Sequence, residues 1–380
     1  MTSAGTFRSL RTRNARLFFG GLMVSNIGTW LQATAMSILV YRLTGQATSL
    51  GVAVALQFLP MLFLGAWAGA LADRHDKRTM CLLTQGALTA QAFVLAVLDF
   101  AGLANVGAIY VLSFVLGVAG ALDNPAALIG PLGTAWCFMI NALSFVAVLV
   151  SLVLIDPSTL HRGPLASRGG TPVRDALRFV MADSQLRRFH VVLVVVSTFA
   201  FNYSVSLPKL SDVRWGDDRW FGWVLSMVSV GSVIGSLLVA SRREATPRMF
   251  VGSVALLGAS GPLVAWAPSG PWAFVGAIPL GIGGAGFLAS FNGLVQQKCP
   301  SDMRGRLLAL SAVAFLGSTP IGGPITGVVA DSWGAEWSLA YGSFITLAAA
   351  IYAIDRSSGA ESSPSGSKTL TRSTVSSPIT

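Results

Sequence analysis

Long apolar runs separated by short polar turns repeat along most of the chain. Runs near the bilayer-crossing length of about 20 residues cover 17–43, 50–72, 80–103, 106–121 and 136–155, then 191–207, 221–240, 249–266, 272–294, 307–330 and 337–354. Every backbone N–H and C=O in hydrocarbon must be bonded within the protein, so these runs predict helices. The pattern predicts an all-α membrane protein with about 11 transmembrane helices, five before and six after a basic connector.

The polar stretches divide the chain into five segments. They are an N-terminal segment at 1–16, a helical bundle at 17–155, a connector at 156–190, a second bundle at 191–354 and a disordered tail at 355–380. Within the connector, TPVRDALRFVMA has the spacing of an amphipathic helix.

Charge supports the same organisation. Hydrophobic residues make up 53% of the chain and charged residues only 11%, with a net charge of +10. The basic residues lie mainly between spans, as in cytoplasmic loops. This distribution predicts a multi-pass protein of the plasma (inner) membrane with both termini cytoplasmic, and no nucleic-acid binding.

Candidate chemistry is sparse. Three cysteines and three histidines are scattered without ligand spacing, so no metal site or cofactor is expected. A clustered nucleophile or a paired set of carboxylates is also missing, which argues against an enzyme. Residues 281–286 satisfy G-x-G-x-x-G, but they lie inside an apolar run. Close helix packing is the interpretation there, rather than dinucleotide binding.

An internal repeat indicates that the first bundle is short. GTAWCFMINALSF at 133–145 resembles GAEWSLAYGSF at 334–344. About 42 residues separate Asn292 from Gly334, but only about nine separate Asn124 from Gly133. The difference is the length of one membrane helix with its loop, so two six-helix halves are predicted with the fifth helix largely absent. Loop charges favour an unchanged orientation of the second half, which requires that 129–155 does not cross simply or that the fourth span is displaced.

Four motifs carry a resemblance to a known family. GALADRHDKR at 69–78 resembles the signature loop of the major facilitator superfamily. NIGTW at 26–30, LDNPA at 122–126 and PSDMRGR with FLGSTP at 300–320 resemble its enterobactin-exporter-like branch. The resemblance implies a two-bundle helical fold and a secondary active transporter, an antiporter that exports a siderophore- or drug-like small molecule by alternating access. The alternative is a non-transporting remnant or assembly partner that lacks one helix.

The resemblance also implies a conformational latch between the halves. A carboxylate just beyond one helix end can bind the unpaired N–H groups that begin another helix, so Asp73 is expected to meet the span that starts at 304. The alternative is a loop that only anchors topology. The latch residues are Gly69, Asp73, Arg74, Lys77, Arg78, Arg304 and Arg306.

Polar residues inside spans are the candidates for binding, because intramembrane polar groups are costly and tend to face cavities. Asn26, Gln32 and Gln57 are the predicted substrate-binding residues, with pairing between helices as the alternative. Asp123 is the predicted proton carrier, with helix capping as its alternative. The expected partners are a small-molecule substrate, protons as the coupling ion and membrane lipids, and the expected state is a monomer.

Overall fold

The computed structural model describes residues 13–72, 77–122, 172–242, 244–300 and 303–354, together with Leu143 and Val146. Side chains within 13–27, 64–72, 77–81 and 120–122, and those of 30, 62, 172 and 173, are not described. The helices before the connector are α1 (Arg13–Thr44), α2 (Ala47–Ala72), α3 (Lys77–Phe100) and α4 (Val106–Leu122). Those after it are α5 (Pro172–Ala182), α6 (Ser184–Ala200), α7 (Tyr203–Trp215), α8 (Arg219–Ala240), α9 (Pro247–Ala265), α10 (Gly270–Lys298), α11 (Arg304–Gly317), α12 (Thr319–Ser332) and α13 (Ala335–Ile354).

The described part of the chain contains helices and no strands, which confirms the predicted fold class. Seven helical segments within it are long and apolar enough to cross a membrane, with α6–α7 and α11–α12 each counted as one. Ala47–Met61 and Val106–Ala119 are shorter apolar helices. The chain is therefore a multi-pass membrane protein. The predicted span at 136–155 lies outside the described residues, except for Leu143 and Val146.

Local sequence explains several helix ends. The Asp183 carboxylate caps α6, accepting from the N–H groups of Gln185 and Leu186 at 2.8 and 2.9 Å. Thr246 caps α9, which then begins with Pro247, a residue suited to the first helical position. Gly216 ends α7 in the left-handed conformation at φ 72°, which glycine adopts without a steric cost.

Two details differ from the sequence pattern. The span predicted to start at 191 begins at Ser184, because α6 extends through polar residues beyond the apolar run. The pattern predicts one helix for each of the runs 191–207 and 307–330, whereas the structure breaks them at Phe201–Asn202 and at Ser318. The amphipathic helix in the connector is confirmed as α5.

The two bundles meet where α2 packs along α11 and α12. Backbones come close there, since a Cβ added to Gly51 would lie 2.5 Å from the carbonyl oxygen of Gly323. A Cβ added to Gly327 would lie 2.6 Å from the carbonyl oxygen of Ala47. Small residues of this kind let membrane helices approach closely. We call this α2–α12 contact the seam.

Contacts between the bundles and within the second bundle gather several turns at one end of the molecule. Arg42, beside the turn 45–46, binds Asp218 in the turn 216–218 at 2.7 Å. Arg214 binds the carbonyl of Ala267, near the turn before α10, and Glu336 at the start of α13. We call this the hairpin end. The opposite end, which carries α5 and the ends of α2 and α10, is the connector end.

Candidate functional site

Two broken helices meet beside the seam. The break between α6 and α7 lies near the middle of one span, and the break between α11 and α12 lies near the middle of another. Ser318 Oγ donates to Ser197 Oγ at 2.8 Å. Gly322 packs against the backbone of Thr198 so closely that a Cβ would overlap it. Discontinuous helices near the membrane midplane are typical of binding sites in secondary transporters.

An aromatic cluster surrounds the first break. Phe201 lies edge-on to Phe315 of α11, with ring centroids 5.0 Å apart. Its ring also contacts Tyr203 at 5.9 Å and Phe287 at 6.2 Å. The cluster thus joins α7, α10 and α11 through apolar, polarisable faces that can stack on a flat ligand.

A cavity of about 220 Å³ opens beside this cluster between α7, α8 and α10. We call it the aromatic cavity. Phe201, Tyr203 and Ser232 contribute side chains, and Gly281 and Gly284 contribute backbone. The hydroxyl of Tyr203 is buried and has no hydrogen-bond partner in the structure. The lining includes no charged side chain, and the remaining lining residues are Val228, Leu280, Ala285 and Leu288.

Glycines in the G-x-G-x-x-G stretch shape this region. A Cβ on Gly281 would overlap the carbonyl oxygen of Val228, and one on Gly283 would lie 2.5 Å from Leu257 N. A Cβ on Gly286 would lie 2.7 Å from Ser253 Oγ. The three glycines therefore serve close packing of α10 on α8 and α9, which confirms the helix-packing interpretation.

The predicted polar residues of the first bundle are placed as follows. Gln32 is buried, and its amide donates to Gln91 Oε1 at 2.9 Å, which ties α1 to α3. The side-chain amide nitrogen of Gln91 has no hydrogen-bond partner. Gln57 is half-buried in α2. Asn26 belongs to α1, but its side chain is outside the described residues. The structure does not bring Gln32 and Gln57 into the aromatic cavity.

The predicted latch and proton carrier are described only in part. Asp73, Arg74 and Asp123 lie outside the described residues. Arg304 and Arg306 open α11 with exposed side chains. The other three predicted latch residues are in helices, at positions whose side chains are not described, namely Gly69 in α2 and Lys77 and Arg78 in α3.

Sequence reasoning missed the contacts that join the bundles at the hairpin end. Asp331 of α12 accepts from the N–H groups of Ala47 and Thr48 at 3.0 and 2.8 Å, and from Lys209 at 2.6 Å. The Tyr41 hydroxyl lies 3.1 Å from an oxygen of Asp212. A signal existed for the second helix break, since Ser-Thr-Pro at 318–320 is a typical helix start. The described residues contain no cluster of acidic, histidine or cysteine side chains that could hold a metal ion.

Two proteins with related sequences have the names of transport proteins. Two curated relatives are the multidrug efflux pump Tap of Mycolicibacterium fortuitum and the staphyloferrin A transporter of Staphylococcus aureus (strain NCTC 8325 / PS 47). Tap is 27% identical over 236 residues, covering 60% of this chain and 56% of its own length. The staphyloferrin A transporter is 21% identical over 264 residues, covering 59% of this chain and 66% of its own length. This chain thus spans less than two thirds of either relative.

Solved structures show the same architecture. The nucleoside transporter NupG superposes with a TM-score of 0.63 at 13% identity, over 90% of this chain and 96% of that one. A bacterial homologue of the human lysosomal transporter Spinster gives 0.64 at 11% identity, over 90% and 95%. The transmembrane secretion effector family model matches residues 4–129 and 126–363, two matches that overlap at 126–129. The chain therefore belongs to the transmembrane secretion effector family of the major facilitator superfamily.

Proposed function

We propose that this chain is a plasma-membrane secondary transporter that exports a lipophilic, drug-like small molecule by alternating access. The observation that carries the proposal is the pair of broken helices that meet beside the aromatic cavity. The cavity is lined by α7, α8 and α10 of the second bundle, and motion of one bundle against the other would open a path from it to either face. Family membership and the names of the two curated relatives support the same activity.

The lining supports a substrate class. Aromatic rings and the hydroxyls of Tyr203 and Ser232 favour an uncharged, flat molecule with few hydrogen-bonding groups. An anionic chelator would leave its charge without a cationic partner in the aromatic cavity, and burying an unpaired charge is costly. A drug-like substrate is thus favoured over an anionic siderophore.

Charge supports an orientation. Acidic side chains gather at the hairpin end, among them Asp218, Asp331 and Glu336. Arg248, Lys298 and the arginines that begin α11 lie at the opposite end. By the positive-inside rule the connector end faces the cytoplasm. We therefore place both termini in the cytoplasm.

The latch and the coupling residues remain part of the proposal. Asp73 would bind the start of α11 at the connector end, with the neighbouring basic residues on lipid phosphates. Asp123 would carry the coupling proton, and Gln32 and Gln57 would line the path on the side of the first bundle. The protein would act as a monomer.

The test is an export assay in cells depleted of their own pumps. Cells producing the chain are loaded with Nile red as a neutral lipophilic probe, and with one cationic and one anionic dye for comparison. We expect faster loss of Nile red than in cells without the chain, and no such gain once a protonophore is added. Failure of all three dyes to leave faster would favour the non-transporting alternative.

Two leucine substitutions link export to the aromatic cavity. Gly284→Leu should fill the cavity and lower the Nile red efflux rate at least about fivefold. Gly222→Leu is the matched control, since a Cβ on Gly222 in α8 meets nothing within 4 Å. Equal rates in the two variants would show that the substrate passes elsewhere.

A further inference from the structure

A carboxylate from the second bundle caps a helix of the first. Asp331 lies one residue from the end of α12, and its two oxygens accept from the first two N–H groups of α2, those of Ala47 and Thr48. The Thr48 hydroxyl donates to the same carboxylate at 2.5 Å. These bonds span 283 and 284 residues of sequence and cross the seam.

This capping matters because α2 supplies no negative charge of its own at its start. The first turn of α2 contains no acidic side chain, yet its unpaired N–H groups carry a partial positive charge. Asp331 satisfies two of these groups and places a full negative charge beside them. The stabilisation that Asp331 gives to the start of α2 is therefore present only while the two bundles are in contact at the hairpin end.

The spacing along α12 shows that the carboxylate and the close packing form one surface. Gly323, Gly327 and Asp331 are four residues apart, so they share one face of the helix. The two glycines let α12 approach the backbone of α2 at Gly51 and Ala47. That approach brings the carboxylate within reach of the α2 N–H groups.

Lys209 makes the contact reversible. It lies on α7, in the same bundle as Asp331, and binds the carboxylate at 2.6 Å. When the bundles separate, Asp331 keeps this cationic partner, so its charge is not left unpaired. The Asp331 and Lys209 side chains are 23% and 17% exposed, so water can reach the pair and replace the α2 N–H groups on the carboxylate when the bundles part.

We propose that Asp331 is the positioning residue that holds the hairpin end shut, by capping α2 across the seam, and that it lets go of α2 when this end opens. The inference rests on the proposed alternating access. The nearby Arg42–Asp218 pair plays a lesser part, because the Arg42 side chain is 57% exposed and exposed ion pairs contribute little.

The test measures how often the hairpin end opens. Val205 of α7 is fully buried and packs in the core cluster of the first bundle. Val205→Cys, in a chain lacking Cys81, Cys137 and Cys299, should react with a membrane-impermeant maleimide only when the bundles part. The labelling rate then follows the open population even when that population is small. Val254→Cys, fully buried within the second bundle, reports general loosening.

Adding Asp331→Ala should raise the Val205→Cys labelling rate about tenfold, because the cap and its charge are both lost. Asp331→Asn should raise it about twofold, because an amide oxygen can still cap α2. Asp217→Ala is the matched control, since Asp217 lies at the same end but pairs with Arg219 of its own bundle. Labelling of Val254→Cys should stay unchanged in all three.

Two results would overturn the inference. One is an unchanged Val205→Cys rate in Asp331→Ala, and the other is an equal acceleration at Val254→Cys, which would mean simple loosening of the fold. The labelling needs no substrate, so its outcome is separate from that of the export assay. Faster labelling without any export would retain the cap and reject the transporter. Export without faster labelling would retain the transporter and reject the cap.

Discussion

Two adjacent glycines of α10 allow a sharp test of the packing around the aromatic cavity. A Cβ added at Gly283 would lie 2.5 Å from Leu257 N, 2.8 Å from Leu257 Cα and 2.9 Å from Ser253 O. All three are backbone atoms of α9, so no flexible side chain can move aside. A Cβ added at Gly284 would lie no closer than 3.5 Å to any neighbour, the nearest being the ring of Phe201.

The expected magnitude follows from this difference. To reach ordinary contact, Gly283→Ala must part α9 and α10 locally by about 1 Å, and overpacking of this kind costs about 1–3 kcal/mol. Both alanine variants gain about 0.5–1 kcal/mol from helix propensity. That gain cancels between neighbours, so Gly283→Ala should be less stable than Gly284→Ala by about 2 kcal/mol.

The assay is thermal unfolding of the purified protein in detergent, with both variants heated at one rate because unfolding of such proteins is often irreversible. At about 2.1 cal/mol/K of unfolding entropy per residue, one kcal/mol moves the midpoint of a chain of 380 residues by only about 1.3 °C. Gly283→Ala should therefore melt about 2–3 °C below Gly284→Ala, which should melt at or above the native protein. Coinciding midpoints would show that the α9 backbone does not pack closely against Gly283, and would refute the helix packing around the cavity.

Three further predictions concern single polar groups. Asp183→Ala should cost about 1 kcal/mol of stability, read from the melting midpoint at neutral pH. Partial burial disfavours its charge, but the N–H of Leu186, the ammonium of Lys298 and the N–H of Gln185 outweigh this and lower the pKa of Asp183. Its contribution is thus present above about pH 4 and lost as the pH falls through the folded pKa; the alanine variant should lack this part of the acid sensitivity. Tyr203→Phe should leave the melting midpoint equal or higher, since it removes a buried hydroxyl without a partner, and a lower midpoint would contradict the described burial. Asp73→Asn should reduce Nile red export by weakening the proposed latch, and unchanged efflux would remove that residue from the mechanism.

The fold could be predicted from run length because hydrocarbon permits few alternatives. Boundaries were harder, since a helix does not end where its apolar run ends. α6 begins at Ser184 and carries Arg187 and Arg188 in its first turns, which the pattern assigns to the connector. The break at Phe201–Asn202 is hidden for a related reason, because one asparagine barely changes the mean hydropathy of a long run.

The candidate site was harder to predict than the fold because its contacts are distant in sequence. The sequence identifies Gln32 as a polar residue within a span, yet only the structure supplies its partner Gln91. Asp331 resembles any acidic residue at a helix end. Gly-x-x-Ala-Asp at 69–73 recurs at 327–331. The interpretation of this repeat is that both aspartates act at helix ends. The structure confirms that interpretation for Asp331 and adds that the helix end it caps belongs to the other bundle.

Contacts at the two ends of the molecule show how the two bundles are oriented relative to each other. Arg42 follows the first crossing and Asp218 follows the first crossing after the connector, and their 2.7 Å ion pair puts both turns at the hairpin end. The bundles therefore enter the membrane from the same side, as the loop charges predict. α4 starts near the hairpin end, where Tyr110 contacts Ser49, and runs away from it. α6 starts at the connector end, where Lys298 binds Asp183 at 3.0 Å. The chain thus leaves the first bundle and enters the second at one end, a condition that a single simple crossing by 136–155 does not meet.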